Sequence, residues 1–463
     1  MFPEAFIKRI KKQEYIDAAE LLDALQEPSP VSIRINRDKW KLSPLAAERV
    51  PWCPDGYYLA ERPSFTLDPL FHAGAYYPQE ASGMFLEQVI RQVVHDKEKL
   101  KILDLCAAPG GKSTHLSSLT GPDSVIVAND VIKPRADILA ENHIKWGLSN
   151  TMVTQSDPSA FETLKGFFDI ILVDAPCSGE GMFRNKTAIR EWSIDKAIHC
   201  ASRQKRILMD IWSALKENGI LIYSTCTFNS AENEENVKWL SERHESESIR
   251  LNISDFKEIT EISHKGVFGY GFHLGKIKGE GLFIAVLKKK EKISAFTKNN
   301  KSVKWNYPGD QEKKIAEKWS EFSHDRLIKE NNNIIYLPVS KSDYSLIARR
   351  VRILMPGTSI FTQKNKNLIP AHELALSVNF KRSAFPHSSL DLHDALAYLS
   401  RKELSSSFSL KGWNVISYRN LNLGFINNLG NRINNYYPSG WRIKMNYGQS
   451  VDEILRWENC SES

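Results

Sequence analysis

Two cysteines occupy similar places in the sequence, each next to an apolar run that is typical of a strand. Cys177 lies in LVDAPCSGEGMF, three residues after Asp174, and Cys226 lies in LIYSTCTFNSAEN. A buried free cysteine is usually inert filling of a core. Two thiols and a carboxylate at the ends of parallel strands could instead act together, because such strand ends share one edge of a sheet.

These groups suit covalent chemistry at a pyrimidine. Carbon 5 of cytosine is a poor nucleophile, but a thiolate that adds to carbon 6 enables carbon 5 to attack a methyl sulfonium. The adduct must then lose its carbon-5 proton and expel the thiol, and a second thiol can assist that release. A carboxylate such as Asp174 can hold the base and stabilise charge in the adduct. An unperturbed thiol has a pKa of about 8.5, so the attacking cysteine also needs a cationic or dipolar neighbour.

A second motif, LDLCAAPGGKSTHL, begins at Leu103 and indicates a ligand-binding turn. An apolar strand ends at Cys106, and Gly110 and Gly111 precede a helix, which would let the backbone come close to a ligand. The spacing matches neither the dinucleotide fingerprint nor the phosphate-binding P-loop. At the carboxyl edge of a parallel sheet, this turn favours a nucleoside cofactor, with a tight structural turn as the alternative.

Two further acids follow strands of the same unit. Asp130 closes VIVAND, and Asp157 closes MVTQSD. An acid after the second strand can accept hydrogen bonds from both ribose hydroxyls, and one after the third can accept from the adenine amino group. Either acid alone could simply cap a helix. Their joint placement favours a site for ribose and adenine.

The elements that would position these groups alternate in type. From residue 101 onward, short apolar strands are separated by amphipathic helical patterns, which predicts an α/β fold with a doubly wound, mostly parallel sheet. The late strand GEGLFIAVLKKK has no helix before it, and this predicts an antiparallel hairpin at the end of the unit.

Changes in composition and in secondary-structure pattern divide the chain of 463 residues into four regions. Residues 1–95 mix helical and strand patterns, and 96–290 form the alternating unit. Residues 291–384 contain a basic linker and an intermediate domain, and 385–463 contain short strands that predict a small β-barrel. The barrel region interleaves cations with aromatics, as RNA-binding surfaces do; these residues are Arg432, Tyr436, Tyr437, Trp441, Arg442 and Lys444.

Charge and cysteine content restrict the classes of function. The net charge of +7 permits a polyanionic partner. The six cysteines form no CxxC pair, so we expect no zinc or other metal site. No run reaches the roughly 20 apolar residues of a membrane span, and the N-terminus lacks the apolar core of a signal peptide. We expect a cytoplasmic monomer with reduced thiols that binds no membrane.

The motifs DLCAAPGGK, DAPCSGEGMF and STCTFNSAENEENV together resemble the RNA cytosine-C5 methyltransferases of the Sun family. The form PCSGEGMF and the tail NRINNYYPSGWRI are similar to the branch that modifies 16S ribosomal RNA of the small subunit. The resemblance extends from VSIRIN to this tail, which is most of the chain. It implies a Rossmann-like methyltransferase core, a small α+β N-terminal domain that assists RNA binding, and a C-terminal PUA-like β-barrel that binds RNA.

The resemblance also implies roles for individual residues. Cys226 would be the nucleophile, Cys177 would assist product release, and Asp174 would act at both base and cofactor. The cofactor would be S-adenosylmethionine. Its implied contacts are Cys106, Ala107, Ala108, Pro109, Gly110, Gly111, Lys112, Asp130, Arg135, Asp157 and Asp174.

Three functions remain to be compared. The first is methylation of cytidine in 16S ribosomal RNA, which the appended C-terminal domain favours. The second is the same reaction on tRNA. The third is a ribosome-assembly factor that binds RNA without catalysis, and it is disfavoured because both thiols and the APGGK turn are intact.

Overall fold

The structure is a computed structural model, and it describes residues 2–292, 305–365, 367–406, 408, 410–445 and 454–458. Most of the basic stretch expected to be a linker, residues 293–304, lies outside the described residues. Four sheets and the helices packed on them make up the described part of the chain.

The N-terminal region contains a four-stranded antiparallel sheet in the order β2-β3-β1-β4. Its strands are β1 (Val31–Ile35), β2 (Glu48–Val50), β3 (Cys53–Leu59) and β4 (Tyr76–Pro78). Its helices are α1 (Glu4–Ile10), α2 (Ala18–Ala24), α3 (Pro69–His72) and α4 (Leu86–Val93). The Asp17 carboxylate begins α2 by accepting from the N–H groups of Ala19 and Glu20, as is usual for an acid at a helix N-cap.

The alternating unit forms most of a ten-stranded sheet. Its strands are β5 (Lys101–Asp104), β6 (Val125–Asn129), β7 (Thr151–Thr154), β8 (Phe168–Asp174), β9 (Leu215–Thr225), β10 (Ser246–Ser248), β11 (Thr260–His264), β12 (Val267–Phe272) and β13 (Leu282–Lys289). Its helices are α5 (Gly111–Leu119), α6 (Lys133–Trp146), α7 (Lys186–Glu191), α8 (Ile194–Trp212) and α9 (Glu234–Ser241).

Five of these strands are parallel and lie in the order β7-β6-β5-β8-β9. The chain builds outward from β5 through β6 to β7, and then returns to the other side of β5 with β8. This reversal creates a crevice beyond the carboxyl ends of β5 and β8, where ligands bind in doubly wound sheets. The expected fold class is confirmed. The expected hairpin is confirmed too, since β13 pairs antiparallel with both β9 and β12.

The remaining regions are built from short strands. Their strands are β14 (Leu327–Glu330), β15 (Asn333–Tyr336), β16 (Ile353–Met355), β17 (Thr358–Lys364), β18 (Asn367–Pro370), β19 (His387–Ser389), β20 (Gly412–Tyr418), β21 (Leu421–Asn428) and β22 (Ile433–Asn435). Their helices are α10 (Asp310–Trp319), α11 (Lys341–Ala348), α12 (His372–Leu376) and α13 (Leu392–Leu399).

The last sheet runs in the order β19-β20-β21-β22, and no pairing between described residues closes it into a barrel. Strand β16 does not stay with its neighbours in sequence, because it pairs antiparallel with β7 and extends the central sheet. The boundary expected at residue 290 therefore divides one sheet between two stretches of chain.

The central sheet is buried on both faces, as parallel sheets are. Ile102 and Ile170 belong to the apolar layer on one face, and Leu103 and Ile171 belong to the layer on the other. This alternation explains why the strands read as continuous apolar runs.

The first and last regions of the chain share a core. Trp457 packs against Trp40 and Tyr76, with ring centroids 5.3 and 5.6 Å apart. Tyr437 donates or accepts a hydrogen bond at 3.2 Å with Nδ1 of the buried His72. The C-terminal region is therefore packed onto the N-terminal sheet, and removing it would expose apolar surface.

Candidate active site

A cavity of about 270 Å³ opens at the carboxyl edge of β5, β6 and β8. Most of the residues singled out from the sequence line it. These are Cys106, Ala108, Asp130, Arg135, Asp157, Asp174, Cys177 and Cys226, and they are joined by Asn129, Arg203 and Arg206. The structure thus brings three groups of side chains to one crevice. They are the two candidate catalytic thiols, the three aspartates and Cys106 of the cofactor motifs, and three arginines.

The rest of the cofactor turn does not line the cavity. Ala107, Pro109, Gly110, Gly111 and Lys112 are not among its lining residues. Gly110 has a φ of 122°, a backbone conformation that favours glycine. A Cβ on Gly111 would meet Gln79 and Tyr77 at 3.5 Å. Gly110 is therefore required for its backbone conformation, whereas a side chain at Gly111 would make only ordinary contacts, and the predicted contact of both glycines with the cofactor stays a prediction.

Asp130 is held in a buried pocket by two partners. Its Oδ1 accepts the Ile132 N–H at 2.9 Å, and its Oδ2 lies 3.2 Å from the Arg135 guanidinium. Arg135 also donates to the Ala108 carbonyl at 2.9 Å. Arg135 thus ties the second-strand acid to the cofactor turn. Each Asp130 oxygen keeps a second lone pair, which a ribose hydroxyl could use.

Asp157 sits differently, at the exposed rim. It caps a 3₁₀ turn by accepting from the N–H and hydroxyl of Ser159 at 3.1 and 2.8 Å, and its carboxylate is 3.7 Å from Arg206. Burial opposes ionisation, but the hydrogen bonds from Ser159 and the charge of Arg206 outweigh it and lower the pKa of Asp157. The capping alternative considered from the sequence is therefore observed for this acid.

Asp174 stands between the cofactor side and the thiol side. Its Oδ2 accepts from Lys112 Nζ at 2.7 Å, and its Oδ1 accepts from the Ser224 hydroxyl at 2.7 Å. Burial disfavours the ammonium, but Asp174 and Asp104 outweigh it and raise the pKa of Lys112. The motif lysine is therefore a charged partner that orients Asp174.

Asp104 was not singled out from the sequence, although it belongs to the same motif. It ends β5, it is fully buried, and neither carboxyl oxygen has a hydrogen-bond partner. Burial, followed by the charge of Asp174, raises the pKa of Asp104 well above its ordinary value. Asp104 is therefore a buried acid beneath the cofactor turn that holds its proton more tightly than usual, and only its burial reveals it.

The two thiols touch. Cys177 Sγ lies 2.8 Å from Cys226 Sγ, and the Cys226 backbone N–H donates to Cys177 Sγ at 3.2 Å. The hydrogen bond with Cys226 comes first, with burial and the charge of Glu232 next, in raising the pKa of Cys177 well above its ordinary value. Cys177 therefore keeps its proton at neutral pH and can donate a hydrogen bond to the Cys226 sulfur.

A buried glutamate braces the loop that carries Cys177. Glu232 accepts from the N–H and hydroxyl of Ser178 at 2.9 and 2.5 Å, and from the Gln204 amide at 3.0 Å. Asn229 also donates to it at 3.2 Å. Because Glu232 follows Cys226 in the STC motif, it joins the loops of both thiols. This role was not predicted from the sequence, although an acid within the motif of a candidate nucleophile was a signal for it.

One group of side chains with metal-ligand chemistry occurs among the described residues. Cys53, Glu87 and His115 bring their ligand atoms within 4.8 Å of one another in the core under α4 and α5. Glu87 also pairs with Arg91 at 2.5 Å, and burial lowers the pKa of His115 to about 4. His115 Nε2 lies 3.3 Å from Glu87 Oε2, whereas His115 Nδ1 has no hydrogen-bond partner. None of the three residues lines the crevice.

A wider cleft of about 1050 Å³ lies in the C-terminal region. Arg432, Tyr436 and Tyr437 line it, whereas Arg442 and Lys444 do not. Tyr437 is 1% exposed and belongs to the shared core, and Tyr436 is 36% exposed. The structure thus places Tyr437 in the core and Arg432 and Tyr436 in the cleft wall, and it leaves Arg442 and Lys444 exposed outside the cleft.

Three family models match this chain. The model for 16S rRNA methyltransferase RsmB/F matches residues 91–288. The N-terminal domain of 16S rRNA methyltransferase RsmF matches residues 2–81, and the methyltransferase RsmF PUA domain matches residues 385–443. The three matches follow the order of the regions described above.

Curated relatives match nearly the whole length. The chain is 28% identical over 477 residues to a ribosomal RNA small subunit methyltransferase F of Enterobacter sp. (strain 638), covering 94% of this chain and 95% of that protein. It is 26% identical to the protein of the same name from Shewanella piezotolerans, covering 94% and 96%.

A solved structure supports the fold. A methyltransferase homolog protein from Pyrococcus horikoshii aligns with a TM-score of 0.50 and 27% sequence identity, covering 62% of this chain and 95% of that chain. Within the described ranges, every helix is too short or too polar to span a lipid bilayer.

Proposed function

The chain belongs to the 16S rRNA methyltransferase RsmB/F family, and from this premise we propose that it methylates carbon 5 of a cytidine in 16S ribosomal RNA through a covalent bond to Cys226. It is an S-adenosylmethionine-dependent RNA methyltransferase. One observation carries the proposed mechanism: the sulfurs of Cys226 and Cys177 lie 2.8 Å apart in the crevice that Asp130 and Asp174 also line.

The residues of the crevice fit the cofactor. Asp130 offers lone pairs to the ribose hydroxyls, and Arg135 holds it toward the turn. Val131, Ile132 and Pro158 supply apolar wall beside it, as an adenine ring requires. When bound there, S-adenosylmethionine supplies an electrophilic methyl group.

We assign the two thiols to different steps, attack on the base to Cys226 and assistance of product release to Cys177. The Cys226 thiolate adds to carbon 6 of cytosine, and the electron pair of the double bond passes to carbon 5, which takes the methyl group. Water then takes the proton from carbon 5, the electron pair of that carbon–hydrogen bond restores the double bond, and the carbon–sulfur bond breaks to return the thiolate. Cys177 keeps its proton and hydrogen-bonds to the departing Cys226 sulfur, which makes that sulfur a better leaving group. Asp174, oriented by Lys112 and Ser224, holds the cytosine ring.

The RNA is held outside the crevice as well as in it. Flipping the target base out of its stack costs a few kcal/mol, so contacts elsewhere must supply binding energy. The cleft of the C-terminal region offers the cation of Arg432 and the half-exposed ring of Tyr436. Cations and aromatics of this kind bind phosphates and unstacked bases. The region from residue 1 to 95 adds RNA contacts.

We also propose that the protein acts as a cytoplasmic monomer.

The C-terminal cleft can be tested without deleting the region, which shares its core with the N-terminal sheet. We expect Arg432→Gln to weaken RNA binding several-fold and to reduce the salt slope by about one counterion. Affinity for S-adenosylmethionine should not change. RNA affinity measured at several salt concentrations decides this, and an unchanged slope would place the RNA elsewhere.

The substrate is tested by mapping 5-methylcytidine in ribosomal RNA and tRNA from cells with and without the gene. A site in 16S ribosomal RNA that disappears with the gene, and returns with the wild-type protein but not with Cys226→Ala, is the expected result. Loss of a tRNA site instead would support the tRNA methyltransferase. Full complementation by Cys226→Ala would indicate an assembly factor that needs no catalysis.

A further inference from the structure

The N-terminal helix packs directly on the loops that carry the two thiols. Phe6 and Ile10 of α1 share an apolar cluster with Phe183 and Phe228. Phe183 follows Cys177 in the motif GEGMF, and Phe228 follows Cys226 in STCTF. The rings of Phe6 and Phe183 meet edge to face with centroids 4.9 Å apart. The first helix is therefore in contact with both catalytic loops.

Polar groups of the same segment bond to the Cys226 loop. Arg9 Nη1 donates to the Phe228 carbonyl at 3.3 Å, and Gln13 Nε2 donates to the same carbonyl at 2.7 Å. Arg9 Nη2 lies 2.5 Å from Glu180 Oε1. The guanidinium thus bridges the loop after Cys226 and the loop after Cys177.

Glu180 continues the link to the nucleophile. Its side chain is 0% exposed, and its Oε2 accepts from the Thr227 hydroxyl at 2.9 Å and the Phe228 N–H at 3.2 Å. The next residue, Gly181, donates its N–H to the Cys226 carbonyl at 2.9 Å. A shift of Glu180 would therefore move the backbone on both sides of the reactive sulfur.

We propose that Arg9 is a positioning residue for Cys226: by holding the buried Glu180 carboxylate, it fixes the nucleophile loop at the distance from Cys177 that catalysis needs. This inference rests on the proposed function. A buried carboxylate without its cation is strongly unfavourable, so the loop would rearrange to bring Glu180 toward water. A displacement of about 1 Å at a reacting group can cost about a hundredfold in rate.

The location of Arg9 separates this role from RNA binding. Its side chain is 26% exposed, and its partners are the Glu180 carboxylate, the Phe228 carbonyl and the Gln13 side chain. Lys8, its neighbour on α1, is 71% exposed and pairs only with Glu4 among the described ion pairs. The two adjacent cations therefore form a matched pair, one directed at the catalytic loops and one at the surface.

The test compares Arg9→Gln, Arg9→Lys and Lys8→Gln in the full-length protein. We measure kcat, KM for RNA, affinity for RNA and S-adenosylmethionine, and the rate of adduct formation in a Cys177→Ala background. Arg9→Gln should lower kcat and the adduct rate by about ten- to a hundredfold, with both affinities within about twofold. Arg9→Lys should recover part of the rate, because it keeps the charge without the planar fork. Lys8→Gln should match the wild type.

A double variant tests the partner. In a Glu180→Gln background no buried charge needs Arg9, so Arg9→Gln should cost several-fold less than it does alone. Additive losses would overturn the proposed link.

Three other results would also overturn it. These are weaker RNA binding with an unchanged kcat, wild-type kinetics for Arg9→Gln, and equal losses in Arg9→Gln and Arg9→Lys that follow the folded fraction. A wild-type protein without methylation activity would instead refute the proposed function itself.

Discussion

The two halves of the crevice are held in place by different means. On the cofactor side, Asp130 and Asp157 are each fixed by a backbone N–H two residues further along the chain. On the thiol side, Cys177 and Cys226 are 49 residues apart in the chain and yet in contact. Buried Glu232 and Glu180 hold their loops together.

Because of this difference, we expect substitutions in the two halves to have different effects. Local turns at strand ends hold the cofactor acids, so a substitution there should change affinity and leave the rest of the site intact. Each thiol loop carries a buried glutamate that bonds to the other loop, so substitutions there should change the rate of the chemistry. The following experiments test that separation, from the largest expected effect to the smallest.

Removing the nucleophile should have the largest effect. We expect Cys226→Ala to lower methylation by more than about a thousandfold and to leave affinity for S-adenosylmethionine nearly unchanged, because Cys226 lies on the thiol side. Cys200→Ala, at a buried cysteine of α8 that does not line the crevice, is the matched control and should stay active. Normal methylation by Cys226→Ala would show that another residue attacks the base.

Removing the second thiol should stall the reaction after attack. In Cys177→Ala the departing Cys226 sulfur has no thiol to hydrogen-bond, so the adduct should form and persist. A denaturing gel after mixing with RNA and S-adenosylmethionine should show a slow-migrating protein–RNA complex. A gel without this species, together with a simple loss of rate, would mean that Cys177 acts before the adduct or only packs.

The cofactor acids should differ from each other in affinity. Asp130 is buried and Asp157 is half-exposed, and hydrogen bonds to buried charged groups contribute more. We expect Asp130→Asn to weaken S-adenosylmethionine binding about ten- to a hundredfold and Asp157→Asn only a few-fold. Isothermal titration on both variants measures this. Equal losses would contradict the division between buried and rim acids.

The smallest effect concerns stability and pH. The pKa of Asp104 is raised in the folded protein. The contribution of this carboxyl group to the free energy of unfolding is therefore fully present below its unfolded pKa of about 4 and is lost as pH rises above that value. Asp104→Asn removes this titration. The Tm of the variant minus that of the wild type should therefore increase from pH 5 to pH 8, by an amount that corresponds to about 1–3 kcal/mol. A difference that stays constant with pH would show that Asp104 has a partner for its charge.

Much of the cofactor half could be predicted from the sequence. Alternating strands and helices predict a parallel sheet, and the carboxyl ends of such strands meet at one edge. Asp130, Asp174 and Cys226 each stand directly at a strand end, so their presence at the crevice followed from local pattern alone. The hairpin of β12 and β13 followed in the same way, because no helix separates these two strands.

The roles of some residues could not be predicted. Gly111 does not line the cavity, and Gln79 of the N-terminal region lies beside it. Tyr437 looked like a candidate RNA contact, but it is core, bonded to His72. Strand β16 looked like part of a separate domain, but it pairs with β7. In each case the partner comes from a distant segment, and periodicity carries no information about which segments pack together.

The sequence by itself determined which residues reach the active edge, because strand direction and the two-residue alternation of strands are local properties of the chain. Only the tertiary structure decided how they are held there. The contact between Cys177 and Cys226, the burial of Glu180 and Glu232, and the approach of Arg9 depend on packing between segments far apart in the chain. The hydrogen bond with Cys226, together with burial, raises the pKa of Cys177, and burial raises the pKa of Asp104. Both causes exist only in the complete fold, which brings the two thiols together and excludes water around these groups.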